Sequence, residues 1–439
     1  MHIIIIHQAF ASLDEPGGTR HYEFARLLAA RGHQVTVIAS PVSYITGAPT
    51  PTAVGTSPIS NGNGGGWESI NILRARVYSA HHKSFFHRII AFFSFMMSSF
   101  WIGLGVKNVD LVWGTSPPIF QGVTAWLLAR LKRARFLFEV RDLWPRFAVA
   151  VGVLKNPILI RLSEWLERFL YRRADRVVVN SPGFIAHVES VALPSRTGVP
   201  PLFAARTVSG GHSPKSKGRG VWRVELIPNG ADPSMFDPSN EGDDFRRANH
   251  LEDKFVALYA GAHGMSNDLN VVLNAAKLLL DEKKIQIVLL GDGKEKLALQ
   301  ARAAQMELSN VSFVSSVPKS GMPNALAAAD ACIAILKPLE EYKTTYPNKV
   351  FDYMAAGRPV VLAIDGVIRE VVEAAQCGVF AEPGKASALA NAIRKLASDP
   401  QKCREMGMNG RKYLEENFSR EAIGEKLVEL LEEMVGKKK

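Results

Sequence analysis

The chain has 439 residues, 47% of them hydrophobic and 22% charged, with three cysteines and a formal net charge of +11. That length exceeds what one core supports and predicts two α/β domains, and the composition excludes global disorder. Cys332, Cys377 and Cys403 show neither metal-ligand spacing nor a disulfide framework, which fits a reducing compartment. The positive surplus points to anionic lipid headgroups, phosphorylated ligands or nucleic acid, but no nucleic-acid module is recognisable. Much of it sits in Lys215, Lys217, Arg219 and Arg223 and in the tail Lys437–Lys439.

Short apolar runs alternate with helix-period segments throughout, the pattern of parallel sheets with crossover helices. The opening MHIIIIHQ is too short for a signal-peptide core and reads as a buried strand, His2–His7. Pro16-Gly17-Gly18-Thr19-Arg20 follows it and opens a helix over Thr19–Arg31. Glycines there let backbone N–H groups approach a phosphate at a helix N-terminus, although a tight βα turn explains them equally. Strands are predicted at Gln34–Ala39, Ile70–Val77, Asp110–Gly114, Arg135–Val140 and Arg176–Asn180, with helices at Phe120–Lys132 and Pro157–Arg173. Gly47–Trp67 and Leu193–Gly220 carry no periodicity and read as loops without chemistry.

Ser84–Val106 is uncharged from Ile89 to Val106 and crowded with Phe92, Phe93, Phe95, Phe100 and Trp101. Three readings stay open for it: a buried crossover helix, an interfacial helix with an aromatic face in lipid, or a membrane span. Lys83, His87, Arg88 and Lys107 at its ends suit a membrane surface, while its serines and its place in a βα series weaken the spanning reading. Glu139, Arg141 and Asp142 end the next strand region, Phe138–Pro145, as candidates for acid/base work or for gripping an acceptor's phosphate. A buried Arg–Asp pair holding the loop is the competing account.

A second strand series runs through Phe255–Ala260, Ile285–Leu290, Val311–Val314, Ala331–Leu336, Pro359–Ala363 and Gly378–Ala381, after a turn at Ile227–Gly230. Gly261-Ala262-His263-Gly264 and Gly291-Asp292-Gly293-Lys294 end its first two strands, where open parallel sheets place ligands. Gly264 would bring backbone close to a diphosphate and His263 would donate a hydrogen bond to it. The strongest motif is Thr344 to Val361. Pro347 sets a helix start, and Lys349 in the first turn is disfavoured by the helix dipole unless an anion sits there too. Asp352, one turn on, reaches the same cleft and can accept hydrogen bonds from sugar or ribose hydroxyls. No D-x-D pair, H-E-x-x-H or Walker A loop is present, so no metal is expected and phosphate charge falls to Lys349, backbone amides and helix dipoles. A last helix, Arg420–Val435, presents one apolar face that would pack back on the first domain.

In this order the motifs resemble a retaining glycosyltransferase of family 4 with the GT-B fold. The likeness is to the bacterial group that builds O-antigen, capsule and exopolysaccharide repeats, including fucosaminyl-transferase-like enzymes. The resemblance rests on Pro16–Arg20, Gly32–Val37, Glu139–Pro145, Asn180–Gly183, Ile227–Asp232, Gly261–Gly264, Gly291–Gly293 and Asn348–Pro359. It implies an α/β architecture of two Rossmann-like doubly wound domains facing a central cleft, divided here as residues 1–224 and 225–419, with 420–439 returning to the first. It also implies a metal-independent retaining transferase. The donor it leads one to expect is a nucleotide diphosphate sugar, UDP favoured, carrying an N-acetylated amino sugar; the expected acceptor is a polyprenyl-diphosphate-linked sugar or a polysaccharide at the inner face of the cytoplasmic membrane.

The expected donor site comprises Gly17, Gly18, Asn229, Gly261, His263, Gly264, Gly291, Asp292, Gly293, Thr344, Thr345, Asn348 and Val350. Lys349, Asp352, Arg141 and Asp142 are the expected catalytic groups, and Glu139, Phe92, Phe93 and Trp101 meet the acceptor or an anionic membrane. Departures from the family pattern are Thr344 and Asp352 where two glutamates are common, Ala262 and Asn267 where Arg and Lys are common, and Arg141 in place of a histidine. Two rivals stay open: a nucleotide-sugar 2-epimerase, which shares the architecture, and a non-catalytic nucleotide-sugar-binding relative, which Asp352 and the absent basic pair allow.

Overall fold

The structure, a computed structural model, describes residues 1–15, 17–43, 70–78, 85–193 and 224–436. Pro16, Lys83 and Ser84, both loops' interiors, the basic cluster from Lys215 to Arg223 and the Lys437–Lys439 tail lie outside the described residues.

Among the described residues seven parallel strands form the first sheet: β1 His2–Ile6, β2 Gln34–Ala39, β3 Ile70–Arg74, β4 Leu111–Ser116, β5 Arg135–Val140, β6 Arg176–Val179 and β7 Val224–Leu226. Their order is β3-β2-β1-β4-β5-β6-β7, with Ile4 of β1 opposite Thr36 on one side and Val112 on the other. The central strands are near-continuous apolar runs because helices cover both faces. On one face pack the helices Arg20–Ala30 and Arg420–Gly436, the latter through Ile423, Leu427 and Leu431. On the other lie Phe85–Gly105, Phe120–Lys132 and Pro157–Arg173, anchored by Phe95, Leu128 and Leu170. Strand β7 falls in a stretch that the sequence reads as the inter-domain junction. It pairs with β6 through Val177–Val179, so the 224/225 division falls inside the first sheet's last strand.

The second sheet holds β8 Phe255–Ala260, β9 Ile285–Leu290, β10 Val311–Val314, β11 Ala331–Ile335, β12 Val360–Ala363 and β13 Gly378–Phe380, ordered β10-β9-β8-β11-β12-β13. Each sheet reverses its winding beside its first strand, and such switch points open crevices at the strands' carboxyl ends. The two sheets bring these ends face to face. Ser181 Oγ donates to the Thr344 carbonyl at 2.6 Å, Asn229 Nδ2 to the Tyr346 carbonyl at 2.7 Å, and Ser320 N to the Leu13 carbonyl at 3.0 Å. The architecture is two Rossmann-like domains around a central cleft, the GT-B fold.

Candidate active site

Crevices open in the cleft between the domains. One, of about 300 Å³, is walled by Gly17 and Gly18 from the first domain and by Gly261, Ala262, Gly291, Asp292, Lys349 and Asp352 from the second. Backbone geometry brings the glycine turns together. Gly261 (φ +149°) and Gly291 (φ +147°) approach so closely that a Cβ on Gly291 would collide with the Gly261 carbonyl. A Cβ on Gly261 would stand 2.8 Å from Lys349 Nζ. That glycine makes room for the ammonium group.

Lys349 is the second residue of the helix Asn348–Ala355. Its Nζ lies 3.9 Å from the centre of the Tyr259 ring and 3.4 Å from Asn267 Oδ1. Among the described residues no carboxylate pairs with it. Burial lowers its pKa to about 7, since the ring and one amide replace little of the lost hydration. An anion in the crevice would complete its coordination, and helix dipole and ammonium would then act together. Asn267, where the family resemblance implies a lysine, supplies the amide oxygen that Lys349 meets.

Asp352 faces the crevice but is engaged: Lys319 Nζ donates to Oδ1 at 2.6 Å. Lys319 was missed from sequence. It sits in the short turn Lys319–Gly321 after β10, and its one signal was a basic residue following Pro318 at the same sheet edge as the glycine turns. Arg420 closes the floor, bonded to Glu23 Oε2 and the Gly230 carbonyl at 2.5 Å each.

A wider cavity of about 660 Å³ adjoins, and both Gly18 and Asn348 line it as well as the first. The Oδ1 of Asn348 is enclosed and has no protein partner. Its wall carries Arg20, Arg141, Asp142 and Asn229 among its polar groups and Phe92, Phe120, Phe147, Val151 and Val153 among its apolar ones. Burial pushes Asp142 up to about 6, with the Arg141 charge opposing that rise. Arg141 Nη2 donates to the Pro117 carbonyl at 3.3 Å.

Several expected residues stand elsewhere. Glu139 is fully buried and accepts from Arg20 Nε at 2.9 Å, His21 Nε2 at 2.6 Å and Trp113 Nε1 at 3.1 Å. Burial alone would raise its pKa; His21 and Arg20 outweigh that and hold it far below the carboxylate range. It fixes Arg20, whose other donors grip the Ile227 and Pro228 carbonyls at 2.6 Å, so it braces the inter-domain connection rather than touching an acceptor. The His263 ring is buried off the crevice wall near Phe313, and burial lowers its pKa to about 4. Its backbone N donates to the Asp292 carbonyl at 2.8 Å, tying the two glycine turns. Gly264 and Gly293 also lie off that wall, and Val350 points into the core. Thr344 packs against Gly183 at the domain contact, while Thr345 lines the wider cavity. Helix Phe85–Gly105 divides its aromatics: Phe92 faces the cavity, whereas Phe93 and Trp101 are exposed. Among the described residues no helix is long and apolar enough to cross a membrane, which removes the spanning reading. No group of three or more His, Cys, Asp or Glu that could hold a metal occurs among them either.

This geometry defines a class: a GT-B enzyme whose cleft joins a cation-bearing crevice to an amphipathic cavity. Residues 17–201 match the family described as "Glycosyl transferase 4-like domain" and residues 240–413 the family "Glycosyl transferases group 1". The chain is 23% identical over 420 residues to the putative colanic acid biosynthesis glycosyl transferase WcaI of Escherichia coli (strain K12), covering 91% of this chain and 92% of that one. Among solved structures it resembles sucrose-phosphate synthase from Thermosynechococcus elongatus (TM-score 0.72, 18% identity, 99% of each chain). It also resembles Anabaena HepE in complex with UDP-glucose (TM-score 0.66, 15% identity, 99% of this chain and 100% of that one). The chain is a glycosyltransferase with the GT-B fold, similar over most of its length to an enzyme named for colanic acid biosynthesis.

Proposed function

We propose that this enzyme transfers a sugar with retention of anomeric configuration from a UDP-linked donor, with an N-acetylated amino sugar as the expected group. The acceptor is a polyprenyl-diphosphate-linked glycan at the inner face of the cytoplasmic membrane. The observation that carries the donor half is Lys349: a partly buried ammonium facing glycine turns, with no carboxylate partner among the described residues. A departing nucleoside diphosphate develops charge as the glycosidic bond breaks, and a preorganised cation beside it stabilises that charge. Asp352, relayed by Lys319, holds donor hydroxyls. The leaving phosphate takes the acceptor proton on the same face, near Asn348, where the two crevices meet.

The acceptor half draws on the wider cavity. Its Arg141 suits a phosphate and its aromatic portion suits an isoprenoid, an arrangement expected of a ligand with a charged head and an apolar tail. For the donor half, HepE, which shares the fold, is solved with UDP-glucose; for the pathway class, WcaI is named for colanic acid biosynthesis. The test is a panel of nucleotide sugars screened for thermal stabilisation, followed by transfer of the best binder to a short polyprenyl-diphosphate glycan and assignment of the product anomer. A native-state ligand must raise the melting point. If no nucleotide sugar does so, the donor reading is wrong; an inverted product would overturn retention alone.

A further inference from the structure

In a helix that covers a sheet, apolar residues are needed only on the inward stripe. Pro157–Arg173 satisfies that need with Leu170 and Tyr171, both buried. Its outward surface is nevertheless apolar: Ile158 is 68% exposed, Leu162 56% and Trp165 59%. These residues recur at helical spacing, and Arg161, Arg168 and Arg172 flank them, all exposed. Glu164 is the single exposed acid on the helix. The sequence reading gave this helix no role beyond crossover.

The patch does not stand alone. Trp165 stacks on Phe169 at 5.5 Å, and Phe169 meets Trp126 of the neighbouring helix at 4.8 Å. That helix exposes Leu131 (61%) between Arg130 and Arg133. Its first residue, Phe120, lies 4.9 Å from Phe93 on the helix that carries Trp101. Three helices on one face of the sheet thus present a connected apolar surface bordered by arginines.

We infer that this face is a docking surface for an anionic lipid bilayer, with helix Pro157–Arg173 lying in the headgroup layer as its principal foot. Leucine and tryptophan enter the acyl boundary while the long arginine side chains reach phosphate, the pattern of interfacial helices. A second copy of the chain is a poorer occupant. A two-fold contact would set this arginine-bordered surface against its own copy, adding repulsion to a chain of net charge +11. An anionic surface relieves the same charges. Placement agrees: Val151 and Val153, just before this helix, and Phe92, on the helix at the face's other edge, all line the wider cavity. A bilayer on this face therefore borders the cavity mouth. The inference rests on the lipid-linked acceptor only for its purpose; the surface itself is read from exposure and charge.

The experiment is flotation of the full chain with phosphatidylcholine vesicles, with and without phosphatidylglycerol, at low and high salt. The wild type should float with the anionic vesicles and be released as salt screens the arginines. Leu162→Ser with Trp165→Ser should lower the partition coefficient at least about tenfold, since each removes a buried apolar side chain from the lipid. The triple Gln variant of Arg161, Arg168 and Arg172 should lose the preference for anionic vesicles. Melting points near that of the wild type would show both variants folded; Arg172 gives up one bond, from its Nε to the Ala192 carbonyl at 3.0 Å. Transfer to a water-soluble acceptor analogue should stay at wild-type rate in both; failure of transfer in the wild type would count against the proposed function and not against the surface. Wild-type flotation by the Leu162/Trp165 variant overturns the inference. So does a dimer in solution that this variant dissociates, which would assign the face to self-association.

Discussion

Lys349 offers the most quantitative test of the donor site. Its pKa of about 7 means that about half the molecules carry the charge at pH 7, so populating the ammonium costs only about 0.4 kcal/mol. A hydrogen bond from that ammonium to a phosphate oxygen contributes about 1.5–3 kcal/mol. Its loss in Lys349→Met therefore weakens donor binding roughly 10- to 150-fold. The same energy raises the lysine pKa by about 1–2 units when donor binds, to about 8–9.

The sign follows directly. Affinity for a nucleotide sugar is full below pH 7, where the lysine is already charged. It falls about tenfold per pH unit between 7 and the bound-state value, then levels off. Each phosphate of a nucleotide sugar carries one ester and one anhydride bond and does not titrate in this range, so the slope reports the enzyme. Calorimetry in buffers of different ionisation enthalpy should register uptake of about half a proton per donor at pH 7. Lys349→Met should give a flat profile at the level of the high-pH plateau. Lys349→Arg stays charged throughout and should abolish the slope too, at any affinity its bulk permits beside Gly261. A wild-type profile without slope from pH 6.5 to 9, or a Met variant that tracks the wild type, would refute the phosphate role.

Four further outcomes are expected. With Asp142 titrating near 6, kcat/KM for the acceptor should fall as pH drops through that value, and Asp142→Asn should remove the dependence. Glu139→Ala leaves Arg20 buried without its carboxylate and should cost about 3–5 kcal/mol in urea unfolding; a stable variant with lost turnover would instead restore a chemical role. Gly291→Ala drives a methyl into the Gly261 carbonyl and should cost at least about 2 kcal/mol, read as a lower denaturation midpoint with unchanged slope. Asp352→Asn weakens the hold on Lys319 and should cut kcat at least about tenfold with the melting point within a few degrees of wild type.

Why the sequence gives up the fold more readily than the site can be seen in individual residues. Strands such as Gln34–Ala39 and Phe255–Ala260 are legible because burial on both faces leaves an apolar run that turn residues bound sharply. Strand β7 escapes because Val-Glu-Leu is three residues long and owes its place to β6 rather than to any pattern of its own. The glycine turns announce which edge of the sheet binds, yet not which atoms face the cleft. His263 looks like a ligand-facing donor, but the backbone bond from its amide to the Asp292 carbonyl accompanies a ring turned toward Phe313. Phe92 and Phe93 are neighbours in sequence with one composition-level meaning; helical rotation sends one to the cavity and the other outward. Lys349 was readable for a different reason. A cation in the first turn of a helix conflicts with local electrostatics, and such a conflict persists only where something outside the helix resolves it. The structure supplies half of that resolution in Tyr259, Asn267 and the bare Cα of Gly261. The remaining half must be negative, and the crevice beside it has the glycine-lined walls through which backbone can approach a diphosphate.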